Sequence, residues 1–227
     1  MSKKENTTVE NNIENVESAL GRTEKFIEEN QKLLTIGVLA LILLVGGYWA
    51  YKQLYMEPRE QEAQVQIFHA QHHFGNENFE AALEGDGINS GFLEIIDDFS
   101  RTAAGNLAKY YAGISYLHIG EFELSINYLE DFSTRNSELR AISTGAIGDA
   151  YLELGNEAQA LSYYQRASRI DNDITAPFYL LKSGLVYESI GESSNALEIY
   201  TKIKKEYQNS AEAREIDKYI SRVSALN

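Results

Sequence analysis

The sequence predicts an all-α protein in which a single transmembrane helix is followed by an array of stacked helical hairpins. Three observations support this prediction: an uncharged apolar run between residues 33 and 51, a pattern that recurs every 35 or 36 residues, and only two prolines among 227 residues. Proline lacks an amide donor and ends helices, so its scarcity favours long helices. The expected architecture is a membrane anchor joined to an α-hairpin solenoid.

The apolar run LLTIGVLALILLVGGYWAY extends from Leu33 to Tyr51, with Lys32 and Lys52 at its borders. As a helix it is about 28 Å long, close to the roughly 30 Å of bilayer hydrocarbon. A cleaved signal peptide would begin earlier, be shorter and end at small residues, and a buried helix of a soluble protein rarely stays uncharged for this length. With the aromatic residues near its end, the run predicts a transmembrane and interface segment at 33–55.

Residues 1–32 predict a cytoplasmic tail with one amphipathic helix. Its apolar residues recur at steps of four and three, as in a heptad, with Thr23 in the remaining place; they are Val9, Ile13, Val16, Leu20 and Ile27. Fewer than three heptads are short for an independent coiled coil. The helix is therefore expected either to dock on a partner or a second copy, or to be a lone interfacial or frayed helix. Three bases before the span against two after it favour a cytoplasmic N-terminus.

The chain carries 34 acidic and 20 basic residues, a net charge of −14 at pH 7, and most of the acidic excess lies after the span. Such a surface repels nucleic acid phosphates and anionic lipid head groups, so no nucleic acid partner is expected. The chain has no cysteine, which excludes thiol catalysis, disulfides and cysteine-ligated zinc. This composition is compatible with an oxidising compartment such as a periplasm.

Residues 56–101 predict a degenerate first helical hairpin. Pro58 is expected to interrupt the helix just after the membrane. A helix should then run from Arg59 to Phe74, followed by a shorter helix. The segment EGDGINSG at 84–91 contains three glycines and is expected to break the helical pattern before it resumes.

Residues 102–208 predict three copies of one helical hairpin. Each copy has a glycine, a tyrosine three residues later, a second glycine seven residues after the first, and then a small and a bulky residue. The copies are Gly113, Tyr116, Gly120, Ser125 and Leu129; Gly148, Tyr151, Gly155, Ala160 and Tyr164; and Gly184, Tyr187, Gly191, Ala196 and Tyr200. Small residues let two antiparallel helices approach, bulky ones fill the space between them, and the second glycine supplies the turn.

This period and pattern resemble the tetratricopeptide repeat, although Lys109, Thr144 and Leu180 stand where that repeat usually has tryptophan. The resemblance implies that the first helix of each pair lines a concave groove and that residues 209–227 form a C-terminal capping helix. The predicted partner groove, expected to be exposed and apolar with an acidic middle, comprises Tyr110, Ile114, His118, Asp149, Glu153, Leu181, Leu185 and Glu188. It lacks the lysine and asparagine residues with which related modules clamp the carboxyl tails of chaperones.

The residue patterns do not predict catalysis, a metal site or a cofactor. His69, His72 and His73 have helical spacing, but no carboxylate motif accompanies them, so we interpret them as polar or half-buried helix residues. Neighbouring carboxylates fall at predicted helix ends or loops, where capping explains them: Asp97 with Asp98, and Asp171 with Asp173. The protein is expected not to be an enzyme.

A short cytoplasmic helix, one uncleaved span and an acidic exported repeat domain together resemble the YfgM family, ancillary subunits of the bacterial SecYEG translocon. The resemblance implies a single-pass inner-membrane protein whose periplasmic repeats lie beside SecYEG and a membrane-anchored chaperone similar to PpiD. Such a protein would help to hand exported polypeptides to periplasmic chaperones. Two alternatives are a scaffold for another envelope assembly, such as the division or secretion machinery, and an adaptor of inverted topology with cytosolic repeats.

Overall fold

The computed structural model describes residues 2–170 and 173–225, except for the side chains of residues 2–20 and 23. Within these ranges the chain is helical almost throughout and contains no β-strand. The predicted all-α class is therefore confirmed. Contacts divide the chain into two compact units, Met1–Pro58 and Arg59–Asn227.

The first unit is built on one long helix, α1, Ser2–Tyr51, followed by a π-helical turn, Lys52–Met56. The helical stretch that begins at Glu24 includes one segment long and apolar enough to cross a membrane, and no part of that segment is buried by protein. Leu43, for example, is 75% exposed. The segment is rich in leucine, which favours a helix, and contains no proline that would interrupt one.

The predicted docking helix lies within α1. The side chains of Val9, Ile13, Val16 and Leu20 lie outside the described residues, as does that of Thr23. Ile27 is 50% exposed. The heptad seam therefore stays a prediction.

Pro58 does not interrupt the helix, so that prediction is wrong. The π-helical turn leads directly into α2, Glu57–Gly75, and the Glu57 amide donates a hydrogen bond to the Lys52 carbonyl five residues earlier. A π-turn shifts the hydrogen-bond register by one residue. Pro58 then falls in the first turn of α2, where a missing amide donor costs little.

The second unit continues from α2 through a series of shorter helices. These are α3 Phe79–Glu84, α4 Phe92–Asp98, α5 Ala103–Ile119, α6 Phe122–Glu130, α7 Ser137–Glu153, α8 Glu157–Ser168, α9 Thr175–Ser189, α10 Ser193–Glu206 and α11 Ile216–Ser224. A 3₁₀ turn, Glu212–Arg214, precedes α11. Each helix from α5 onward packs mainly on its neighbours along the chain. This is the contact pattern of stacked antiparallel hairpins.

Helices α2 to α5 share one hydrophobic core, which includes Ala63, Ile67, Leu83, Phe92, Ile95 and Ala108. The break predicted at 84–91 is present, with Gly85 and Gly87 at positive φ. Asp86 closes this loop because its carboxylate accepts the amides of Ile88 and Asn89. These hydrogen bonds, above all that from the Asn89 amide, hold the pKa of Asp86 well below its usual range.

The three hairpins from α5 to α10 turn at the second glycine of each repeat. Gly120, Gly155 and Gly191 have φ angles of 84°, 71° and 79°. This left-handed region is open to glycine at little steric cost, and it lets the chain reverse within a few residues.

The first glycine of each repeat marks the place where the two helices of a hairpin cross. A Cβ atom added at Gly113, Gly148 or Gly184 would lie 2.5, 2.7 or 2.2 Å from the nearest side-chain atom. That atom belongs to the bulky residue of the second helix: Leu129, Tyr164 or Tyr200. All three bulky residues are at most 2% exposed. The glycine therefore accommodates the bulky side chain, as the sequence pattern predicts.

Candidate functional site

A pocket with a volume of about 780 Å³ lies in the repeat array, among the C-terminal parts of α5, α7 and α9. Its apolar lining is formed by Leu117, Phe122, Leu152, Leu185 and Val186, and its polar lining by His118, Asp149, Glu153, Tyr164, Lys182 and Ser189. The helical repeat explains why these side chains meet. Asp149, Leu152 and Glu153 have the spacing of one face of α7, and Lys182, Leu185 and Ser189 that of one face of α9.

Asp149 and Lys182 fix one wall of this pocket. The Lys182 ammonium donates to Asp149 Oδ1 at 2.6 Å, and the Tyr164 hydroxyl donates to the same oxygen at 2.5 Å. The ammonium also lies 5.6 Å from the centre of the Tyr164 ring and 5.1 Å from that of Phe178. Burial, and then the hydrogen bond to Asp149, raises the pKa of the Tyr164 hydroxyl. The Asp149 carboxylate and the Lys182 ammonium therefore form an ion pair, and each charge already has its partner within the chain.

Glu153 stands one turn further along α7 and is exposed. Within the described part of the chain, its carboxylate has no hydrogen-bond or ion-pair partner. His118 also lines the pocket and is exposed, and its ring stacks on Phe79 with 4.4 Å between ring centroids. The pocket therefore combines exposed leucines with a carboxylate that is open to a partner.

Four of the eight predicted groove residues line this pocket: His118, Asp149, Glu153 and Leu185. Tyr110 and Ile114 instead lie half-buried against a core formed by Ile126, Leu129, Ala146, Ile147, Ala150 and Tyr163. Burial raises the pKa of the Tyr110 hydroxyl. The prediction of an exposed apolar surface on this part of α5 is therefore corrected, because the next hairpin covers Tyr110 and Ile114.

Leu181 and Glu188 lie against the C-terminal helix α11. Leu181 packs on a core that contains Ile216 and Val223 of α11. Glu188 accepts two hydrogen bonds from the Arg222 guanidinium, both at 2.8 Å, and one from the Tyr200 hydroxyl at 2.5 Å. Burial opposes ionisation of Glu188, but these hydrogen bonds outweigh it and lower the pKa. This part of the predicted groove is occupied by the chain itself.

Six of the lining residues were not predicted from the sequence: Leu117, Phe122, Leu152, Lys182, Val186 and Ser189. Helical spacing offered a signal for two of them, because Leu152 precedes Glu153 on α7 and Lys182 lies one turn before Leu185 on α9. The pocket does contain one lysine, Lys182. Its ammonium already binds Asp149, so it differs from a lysine that is free to clamp a carboxylate.

Among the described residues, no group of three or more histidine, cysteine, aspartate or glutamate side chains has the geometry of a metal site. His73 Nε2 lies 3.3 Å from Asp86 Oδ2, and His72 Nε2 lies 3.2 Å from the Asn76 side-chain nitrogen. Asp171, one of the carboxylates considered above, lies outside the described residues.

Comparison with known proteins identifies tetratricopeptide repeats in this chain. Two family models of the tetratricopeptide repeat match residues 145–174 and 179–210. The crystal structure of MamA protein has a similar fold, with a TM-score of 0.53 and 18% sequence identity, over 72% of this chain and 91% of that chain. No curated protein matches the sequence. The predicted resemblance to the tetratricopeptide repeat is thus confirmed, and such repeats indicate a protein–protein interaction module.

Proposed function

We propose that this chain is a non-enzymatic, membrane-anchored interaction module whose pocket binds a polypeptide segment of a partner protein. The observation that carries this proposal is the pair of exposed leucines in the 780 Å³ pocket. Leu152 is 37% exposed and Leu185 is 39% exposed, although each belongs to a well-packed helix. A preformed apolar surface with a few fixed polar groups is the usual form of a peptide-binding site.

The anchoring part of the proposal is supported by the apolar segment of α1. Its leucines and isoleucines are mostly more than half exposed, which in water would be unfavourable by about 25 cal/mol for each Å² of apolar surface. Tyr48, Trp49 and Tyr51 lie near its C-terminal end, where aromatic rings favour the head-group region. The charge bias around the span supports the proposed orientation, with the N-terminus in the cytoplasm and the repeats in the periplasm.

Within this proposal, the protein is an ancillary subunit of the SecYEG translocon that helps to pass exported polypeptides to a PpiD-like chaperone. The support is the order of the segments: a short tail, one span and an acidic repeat array. Exported chains emerge unfolded, so their apolar side chains are available to a pocket of this kind. The competing hypothesis is a scaffold for another envelope assembly. It would use the same pocket, but it predicts different partner proteins.

Replacing both Leu152 and Leu185 with alanine is expected to weaken peptide binding about ten-fold or more. Truncating anchor residues at the centre of an interface commonly costs about 2 kcal/mol or more, and about 1.4 kcal/mol corresponds to a factor of ten. The full chain in lipid nanodiscs is titrated into a fluorescent 15-residue peptide that contains three leucines and otherwise uncharged polar residues. Binding is followed by fluorescence anisotropy, and folding by thermal unfolding.

The matched control replaces Leu154 and Ile190, which are 40% and 42% exposed and lie outside the pocket at the ends of the same two helices. This variant is expected to bind the peptide like the unmodified chain. Equal losses in both double variants would contradict a role for the pocket. A chain that binds no leucine peptide at all would overturn the proposed function.

Purification of the full chain from bacterial membranes in mild detergent is expected to recover SecYEG and a PpiD-like chaperone. Mass spectrometry of the copurified proteins measures this enrichment. The control is the same tagged repeat array joined to an unrelated transmembrane helix, which separates the contribution of α1 from that of the repeats. Recovery of division or other secretion proteins without SecYEG would reject the translocon assignment and favour the scaffold.

A further inference from the structure

We infer that the pocket selects polypeptide segments in which a lysine or arginine lies next to an apolar side chain. This inference rests on the proposed function, because it names the chemistry of the segment that the same pocket binds. It follows from the charges around the two exposed leucines, and from which of those charges already have partners.

The two carboxylates of the pocket differ in their availability. Asp149 is bound to the Lys182 ammonium at 2.6 Å and to the Tyr164 hydroxyl at 2.5 Å. Glu153 is exposed and has no such partner among the described side chains. Leu152 is adjacent to Glu153 in sequence, and both line the pocket. A segment that places an apolar side chain on Leu152 therefore brings its neighbouring residues within reach of the Glu153 carboxylate.

Other segment chemistries fit less well. An acidic segment would need the Lys182 ammonium, which already binds Asp149, lies over the Tyr164 and Phe178 rings, and belongs to a side chain that is only 29% exposed. It would also meet two carboxylates on a chain whose net charge is −14. A purely apolar segment would remove water from Glu153 without offering it a partner, which is unfavourable for a charged group. A basic side chain satisfies Glu153 and leaves the Asp149–Lys182 pair intact.

The test uses three fluorescent 15-residue peptides with the same three leucines, which differ only in carrying two lysines, two glutamines or two glutamates beside them. The full chain is held in phosphatidylcholine nanodiscs, whose zwitterionic lipid does not attract basic peptides. Affinity is expected to fall in the order lysine, glutamine, glutamate, with about a ten-fold range at low salt. The difference in affinity among the three peptides should nearly disappear in 1 M NaCl, where the Debye length is about 3 Å.

Glu153→Gln is expected to weaken binding of the lysine peptide about three-fold and to leave the glutamine peptide unchanged, as for a partly exposed ion pair. Glu138→Gln is the matched control, because it removes the same charge from an exposed position in the first turn of the same helix. It should leave all three affinities unchanged. Equal effects of the two variants would assign the preference to overall charge and overturn the inference.

Glu153→Lys is expected to reverse the order of the lysine and glutamate peptides without lowering the melting temperature. The two levels of the proposal fail in different ways. If replacing Leu152 and Leu185 does not weaken peptide binding, or if no peptide binds, the pocket is rejected as a peptide site. Leucine-dependent binding with equal affinity for all three peptides would reject only the selection of basic segments.

Discussion

Replacing Gly184 with valine is expected to lower the free energy of unfolding of the repeat array by about 3 kcal/mol or more. A Cβ atom at this position would lie 2.2 Å from Cε1 of Tyr200. Tyr200 is fully buried, and its hydroxyl donates to Glu188 at 2.5 Å, so the ring has no free space into which to move. Overpacking a tight core contact costs about 1–3 kcal/mol, and occasionally more.

Urea unfolding of the full chain in nanodiscs, followed by the near-ultraviolet circular dichroism of tyrosine, measures this loss. Gly75→Val is the control, because a Cβ atom at Gly75 would meet nothing within 4 Å. This control is expected to unfold within about 1 kcal/mol of the unmodified chain. A Gly184→Val variant of unchanged stability would mean that α9 and α10 do not cross where described.

Replacing Ile216 with alanine is expected to cost about 2–5 kcal/mol of stability, the usual range for an isoleucine truncated in a core. Ile216 is the first residue of α11 and is 1% exposed. It packs with Leu180, Ala196, Tyr200, Ile203 and Val223. The truncation leaves a cavity between α11 and the last hairpin, so the array should unfold at lower urea concentration.

The same substitution at Ile88, which is 91% exposed, is the control and should not change stability. Peptide binding provides a second readout. Because α11 lies beside Leu181 and Glu188 and not beside Leu152, the folded Ile216→Ala variant is expected to bind the leucine peptide normally. Stronger binding in this variant would instead mean that α11 competes with peptides for the pocket.

The repeat glycines could be placed from the sequence because each of them has one local function. Gly120, Gly155 and Gly191 turn the chain, and Gly184 accommodates a ring, so the spacing alone identifies them. Pro58 misled the prediction because the rule for proline assumes the α-helical hydrogen-bond register. The π-helical turn before it changes that register, and the sequence carries no clear sign of such a turn.

The groove was predicted only in part, because helical periodicity gives the face of a helix but not the neighbour that covers it. Tyr110 and His118 were expected on one face of α5, yet the next hairpin covers the first and leaves the second open. The contact between Lys182 and Asp149 joins residues 33 positions apart. It depends on how successive hairpins stack, which a single sequence does not reveal.

A tyrosine, a carboxylate and a base form the same arrangement at two places in the array. Tyr164 and Asp149 of one hairpin receive Lys182 from the next helix, and Tyr200 and Glu188 of the following hairpin receive Arg222 from α11. In this respect α11 replaces the first helix of a fourth repeat. The last hairpin is therefore covered by α11 through the same kind of contact that joins the hairpin before it to the next helix. A chain lengthened by one hairpin after Glu206 would need a base in its new first helix to bind Glu188, and its own final helix would have to end the array in turn.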